Sequence, residues 1–297
     1  MNPPPTSGLW RTISKLQILA RQLVEGFSTG LHRSPQRGAS VTFKQHRPYV
    51  PGDEVRHIDW RVFARSDRYY IREYEQETSL RATILLDLSG SMDYSGVDAA
   101  QTKADYAKVL SLALASLLIR QQDAVGLVAF DSKVRAFVPP STRPSHLQIL
   151  ESTLRNHAPG GETSLSRVLR EVAPRLGRRS LLILVSDCLE EPASLVKALA
   201  QMRLQHHEVL VFQIFDKDEL TFPFQSWTRF ESLEIPDYHL ESDPATIRQI
   251  YLENLAKFRT DLAVGCGKNR IQLYPITTDE PCETALGRHL GNRLARG

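Results

Sequence analysis

Apolar positions along this chain recur with two different periods, and the change from one to the other divides it. Leu9, Ile13, Leu16, Ala20, Leu23 and Phe27 follow at alternating intervals of four and three residues, the spacing of one face of an amphipathic helix, with Gly26 and Gly30 placed to end it. That face is expected to pack on its own domain. From residue 38 to residue 77 the pattern shortens to β-like runs at 40–43 and 69–74, around a polar segment that contains Pro48, Pro51 and Gly52. Beyond residue 80, compact apolar runs bounded by small polar residues alternate with longer stripes. The compact runs suit strands buried on both faces and the stripes suit helices.

The alternation predicts a strand through Ile84, Leu85 and Leu86. It then predicts a helix over 99–121 whose stripe is Tyr106, Val109, Leu110, Ala113, Leu114, Leu117 and Leu118. Strands at 124–130 and 134–138 are so close in sequence that they can only form a hairpin, with the second strand antiparallel and at the sheet edge. Helices over 144–156 and 164–176, a buried strand at 180–185, a helix over 193–205 and a strand at 208–215 follow. Residues 216–238 break the rhythm with Pro223, Pro236 and the aromatics Phe222, Phe224, Trp227 and Phe230, read as an insertion whose rings are buried. A helix over 244–258, a strand at 270–276 and a helix over 283–294 complete the chain. Alternating strands and helices imply an α/β fold, a doubly wound and mostly parallel sheet with helices on both faces. The domains read as 1–79, an N-terminal helix and small β-rich extension, and 80–297, the α/β domain with an insertion near 216–262.

Composition narrows the function classes. With 297 residues, 41% hydrophobic and 24% charged, the chain is an ordinary globular protein, and a net charge of +3 is no argument for nucleic acid. Arg61, Arg65, Arg68 and Arg72 are interleaved with Asp59, Asp67, Glu73, Glu75 and Glu77, which weakens a polyanion site further. Cys188, Cys266 and Cys282 have no paired spacing, so neither a disulfide framework nor a zinc cluster is indicated and a reducing, cytoplasmic setting is expected. No signal peptide is read at the N-terminus. The longest apolar tract, 110–119, falls short of the roughly 20 residues of a transmembrane helix. His206 and His207 are read as a solvated turn.

The chemistry concentrates in Ala-Thr-Ile-Leu-Leu-Asp87-Leu-Ser89-Gly-Ser91-Met, where an apolar run ends in an acid and two alternate serines. Asp87, Ser89 and Ser91 present three hard oxygens from one loop, a donor set suited to Mg²⁺ or Ca²⁺ and poorly suited to a soft metal. An Asp leaving a strand and a Ser before a helix are equally ordinary turn and cap residues, so the stretch alone leaves both readings open. A second apolar run, 181–185, ends in Ser186 and Asp187, and a Gly160-Gly161-Glu162-Thr163-Ser164 turn lies between the two runs. An enzymatic alternative is a Mg²⁺-dependent phosphatase or phosphotransferase with Asp87 as nucleophile, but the position of its general acid, two residues on, holds Ser89. Phosphate-loop, zinc-protease and nucleophile-elbow motifs do not occur.

Asp87-x-Ser89-x-Ser91, then Thr163 after a glycine turn, then Asp187, is similar to the five-part metal-ion-dependent adhesion site of von Willebrand factor A domains. The upstream block, from Gly30-Leu-His-Arg-Ser34 through Tyr49-x-Pro-Gly-Asp-x-x-Arg-x-Ile-Asp-Trp60 to Ala64-Arg65, resembles the bacterial family known as domain of unknown function 58. That resemblance implies a von Willebrand A-like domain without catalysis. Asp87, Ser89, Ser91, Thr163 and Asp187 would hold Mg²⁺ or another divalent ion such as Ca²⁺ or Mn²⁺. The implied partner is a MoxR-type AAA+ ATPase or its client, bound through a carboxylate that completes the metal shell. The pattern departs at Glu162, which separates the glycines from Thr163. The segment 47–60 combines arginines, acids and aromatics, and it is expected to fasten the extension to the α/β domain by internal pairing and stacking rather than to bind a partner.

Overall fold

In the computed structural model, residues 41–50, 58–76, 80–177, 179–235, 237–282 and 284–285 are described, without the side chains of 41–47 and 72–76. The expected helices over 9–27 and, but for two residues, 283–294 lie outside them. The described residues divide at Leu80 into two compact units.

In the first unit, β1 (Val41–Pro48) and β2 (Tyr70–Gln76) pair antiparallel, with α1 (Trp60–Ser66) between them in sequence. Asp59 starts α1 by accepting from the amides of Arg61 and Val62 at 3.0 and 3.3 Å. Phe63 stacks on Tyr69 with centroids 4.5 Å apart, while Trp60 meets Phe63 edge-on and remains 56% exposed. Residues 51–57, with Arg56, lie outside the described ones.

The second unit is built on six strands in the order β10-β7-β6-β3-β4-β5: β3 (Arg81–Asp87), β4 (Ala124–Phe130), β5 (Val134–Ser141), β6 (Leu181–Ser186), β7 (Glu208–Phe215) and β10 (Gln272–Thr277). All neighbours run parallel except β5, which turns back on β4 at the edge. This is the doubly wound, mostly parallel arrangement expected. The strands form because β3, β4 and β6 are uninterrupted apolar runs buried along almost their whole length. On one face, Leu85, Val128, Leu182, Leu184, Val209 and Val211 meet α4 (Leu165–Val172), α5 (Pro192–Leu204) and the end of α7 (Pro244–Lys268). α2 (Lys103–Arg120) packs on β3 and β4 and against α3 (His146–Arg155).

Four expectations change. The helix expected to end at 258 runs to Lys268, and its last turns bury Leu262 and Cys266 in the core. What interrupts the alternation is therefore shorter than 216–262: α6 (Lys217–Thr221) and the hairpin of β8 (Thr228–Glu231) with β9 (His239–Ser242). Phe222 is buried among Phe224, Phe230 and Tyr251, with centroids 4.9 to 5.7 Å away, whereas Trp227 stays 71% exposed. His207 is not in a solvated turn. It is 3% exposed and its Nδ1 accepts from the Ser180 amide at 3.2 Å, linking the starts of β6 and β7.

Candidate functional site

β3 and β6 lie side by side with Leu86 opposite Val185, and the winding reverses between them, the place where open α/β sheets leave a crevice beyond their carboxyl ends. Asp87 closes β3 and Asp187 follows β6; both are fully buried. The register sets Asp87 level with Ser186, and it becomes a bond: Ser186 Oγ donates to Asp87 Oδ2 at 2.6 Å. Asp87 Oδ1 accepts from the Ser89 amide at 2.9 Å, which curls the loop back over the strand end. Beyond β6, Cys188 adopts φ 61°, a left-handed conformation that costs a non-glycine residue about 1–2 kcal/mol. Its amide donates to Ser186 Oγ at 2.8 Å, and the Leu189 amide donates to Asp187 Oδ1 at 3.2 Å. The strained turn thus keeps the Asp187 carboxylate at the crevice.

Ser89 and Ser91 bring their hydroxyl oxygens to 3.1 Å of one another. The glycine turn is tied to this loop through backbone, Gly90 N to Gly161 O at 2.8 Å and Gly160 N to Leu88 O at 2.9 Å. Gly161 sits at φ +82°, a conformation glycine takes without a Cβ penalty. Thr163, half-buried ahead of α4, joins Asp87, Ser89 and Ser91 only by way of that turn. Its own hydroxyl donates to Glu234 Oε1 at 2.8 Å and its amide to Oε2 at 3.3 Å.

The site is short of positive charge. Burial, then the charge of Asp187, pushes the Asp87 carboxyl up to about 7. Lys103, fully buried on α2, donates to Asp187 Oδ2 at 2.9 Å and Glu219 Oε1 at 2.6 Å. Burial works against its charge, but Asp187 and Glu219 hold the ammonium above its ordinary value. Burial raises the Glu219 carboxyl as well. Acids thus outnumber the cation beside them: Lys103 pairs with Asp187 and Glu219, while Asp87 lies against Asp187 and is held by Ser186 and the Ser89 amide.

Among the described residues no group of three or more His, Cys, Asp or Glu side chains converges as a cage. An ion here would rest on two carboxylates, hydroxyls and water. The residues present fit a hard divalent cation: they are all oxygen donors, and acids outnumber the cation beside them. The 3.1 Å between the serine oxygens is near the roughly 2.9 Å separating adjacent ligands of an octahedral shell with bonds of 2.0–2.1 Å. The neighbouring Cys188 thiol is no soft alternative, because burial and the charges of Asp187 and Asp87 raise its pKa well above the usual thiol value.

Four participants escaped the sequence reading. Lys103 lies three residues before Tyr106 and seven before Leu110, on the apolar stripe of α2, and a lysine in such a stripe is a signal for a buried partner. Glu219 was legible as the fourth residue of the capping box Asp216-x-x-Glu219, with Asp216 N donating to Glu219 Oε2 at 2.7 Å. Ser186 needed the strand register. Glu234 carries no local signal, since it reaches Thr163 across 71 positions of sequence.

Residues 45–261 match the family described as "Protein of unknown function DUF58". The chain is similar over 287 residues, at 25% identity, to "Uncharacterized protein Rv1480" of Mycobacterium tuberculosis strain H37Rv, the match covering 94% of this chain and 87% of that protein. "Uncharacterized protein Mb1516" of Mycobacterium bovis matches with the same figures. Among solved structures, BatB from Bacteroides thetaiotaomicron is 13% identical with a TM-score of 0.47, covering 74% of this chain and 100% of that one. An aerotolerance-related membrane protein from Bacteroides fragilis is 15% identical with a TM-score of 0.46, covering 72% and 100%. No helix among the described residues is long and apolar enough to cross a membrane.

Proposed function

The chain belongs to the DUF58 family, and on that footing we propose that it is a non-enzymatic protein-interaction module that depends on a divalent cation, with Mg²⁺ as the ion and a MoxR-type AAA+ ATPase as the partner. Asp87, Ser89, Ser91, Thr163 and Asp187 hold the ion. The observation that carries the reading is the surplus of acid at the switch point, where Asp87 lies against Asp187 while the Lys103 ammonium is paired with Asp187 and Glu219. When bound, the ion supplies a Lewis-acidic position that keeps exchangeable water. The protein's own residues do the rest. Ser186 and the Ser89 amide orient Asp87, Lys103 and the Leu189 amide orient Asp187, and the glycine turn sets Thr163 at the rim. Asp87 is fully buried with both oxygens engaged, a state that favours holding an ion over attacking a phosphate ester.

A pull-down of the MoxR-type ATPase with Mg²⁺, with EDTA and with Thr163→Ala tests the proposal. Retention should drop with EDTA and with the variant, and should change little with moderate salt, which screens exposed charge pairs over about 8 Å. Retention undiminished in all arms would contradict it. Mg²⁺-dependent turnover of a phosphate ester that Asp87→Asn abolishes would replace it with the phosphotransferase reading.

A further inference from the structure

The hairpin of β8 and β9 is more than an insertion at the sheet's rim. Its root is fixed: Phe230 stacks on Phe222 at 5.7 Å and meets Phe224 edge-on at 5.4 Å. Its tip is a built turn, in which Ser232 Oγ accepts from the amides of Glu234 and Ile235 at 3.3 and 3.0 Å and the Ser232 amide donates to the Tyr238 carbonyl at 2.9 Å. The tip rests directly on the Asp87–Ser91 loop. A Cβ at Gly90 would overlap the Leu233 carbonyl oxygen and come within 3.2 Å of Glu234 Cα, so the glycine inside Asp-Leu-Ser-Gly-Ser is the space the tip occupies. From there Glu234 spreads both carboxylate oxygens over Thr163, Oε1 on its hydroxyl at 2.8 Å and Oε2 on its amide at 3.3 Å.

We infer that Glu234 is this site's own acid: the hairpin tip delivers a carboxylate of the same chain to the position that a partner's carboxylate would take, so that the site is self-ligated until the tip moves. The inference rests on the reading of the site as an ion site. The 2.8 Å between Thr163 Oγ1 and Glu234 Oε1 is also close to the spacing of about 2.9 Å between neighbouring ligands of an octahedral ion, so the two oxygens can serve one ion side by side. A third intrinsic acid also answers the shortage of ligands left by two carboxylates. Leu233, Ile235 and Tyr238, on either side of Glu234, are 47%, 50% and 63% exposed, which leaves the tip an apolar handle that is free while its acid is engaged. A protein whose binding-competent state is only partly populated shows weakened apparent affinity in proportion, and the Glu234 contact is such a restraint.

The test uses the full chain with Mn²⁺ as probe, its dissociation constant read by calorimetry and its bound water by proton relaxation. Wild type, Asp87→Asn and Glu234→Gln are compared; the glutamine keeps the size and the acceptor for Thr163 but loses the charge. Glu234→Gln should weaken Mn²⁺ binding about tenfold, in the range seen when ligand-supporting groups are lost, and should raise the relaxation of the bound ion as water enters the vacated position. If binding is lost in Asp87→Asn but Glu234→Gln matches wild type in both readouts, the role given to Glu234 is overturned and the ion site stands. If wild type and Asp87→Asn bind alike, the ion site falls and this inference with it.

Discussion

The two ends of the central sheet bury similar polar residues to opposite effect. At the amino end, Asp123, 6% exposed, accepts from the Leu80 amide at 2.8 Å. His207 accepts from the Ser180 amide at 3.2 Å, and Ser180 Oγ donates to the Gly177 carbonyl at 2.8 Å. There each side chain answers a backbone group and serves to join strand starts. At the carboxyl end, Asp87 lies against Asp187, which shares one ammonium with Glu219. A strand-end acid that stands by itself with a backbone donor, as Asp123 does, is structural. Where acids outnumber cations in a buried site, the surplus marks a place built for a ligand.

Removing the shared cation is the severest way to test that contrast. Lys103→Met should destabilise the ion-free protein by about 3–5 kcal/mol, the range for breaking a buried pair by deleting one partner, in urea unfolding with EDTA. A loss under about 1 kcal/mol would mean that the carboxyl end is no more strained than the amino end. Ser186→Ala removes the hydroxyl that donates to Asp87 and accepts from the Cys188 amide, and a loss of about 1–3 kcal/mol is expected for leaving such groups unsatisfied.

A pH-dependent effect lies at the other end of the sheet. Burial raises the Asp123 carboxyl to about 6 against a backbone hydrogen bond that lowers it. A carboxyl whose folded pKa lies above its unfolded value of about 3.9 favours folding when protonated. That contribution is complete below about pH 4 and is lost as pH rises through 6. Wild type should therefore lose stability relative to Asp123→Asn between pH 4.5 and 7, measured as the difference of their unfolding midpoints. An unchanged difference would show that Asp123 is not desolvated as its burial implies.

Much of this contrast was legible in the chain before folding. The uninterrupted runs of β3, β4 and β6 declared buried parallel strands, and the three-residue gap between β4 and β5 dictated the antiparallel edge. Asp87, Ser89 and Ser91 share one loop, so local order sufficed to group them. Helix α7 runs past its expected end at 258 because the packing of Leu262 and Cys266, a tertiary contact, carries it on. The pairing of Ser186 with Asp87 depends on register, and that of Glu234 with Thr163 on where a hairpin falls. Neither is written in spacing. The His206-His207 reading failed for the same reason, since only tertiary contact reveals that one ring is buried.

The central claim is that the carboxyl end holds a divalent ion and the amino end does not, and the direct measurement is unfolding of wild type, Asp87→Asn and Asp123→Asn with Mg²⁺ and with EDTA. At about one hundred times its dissociation constant, Mg²⁺ should stabilise wild type and Asp123→Asn alike by about 2.7 kcal/mol and leave Asp87→Asn unmoved. An equal Mg²⁺ response in Asp87→Asn, or none in wild type, would contradict the account.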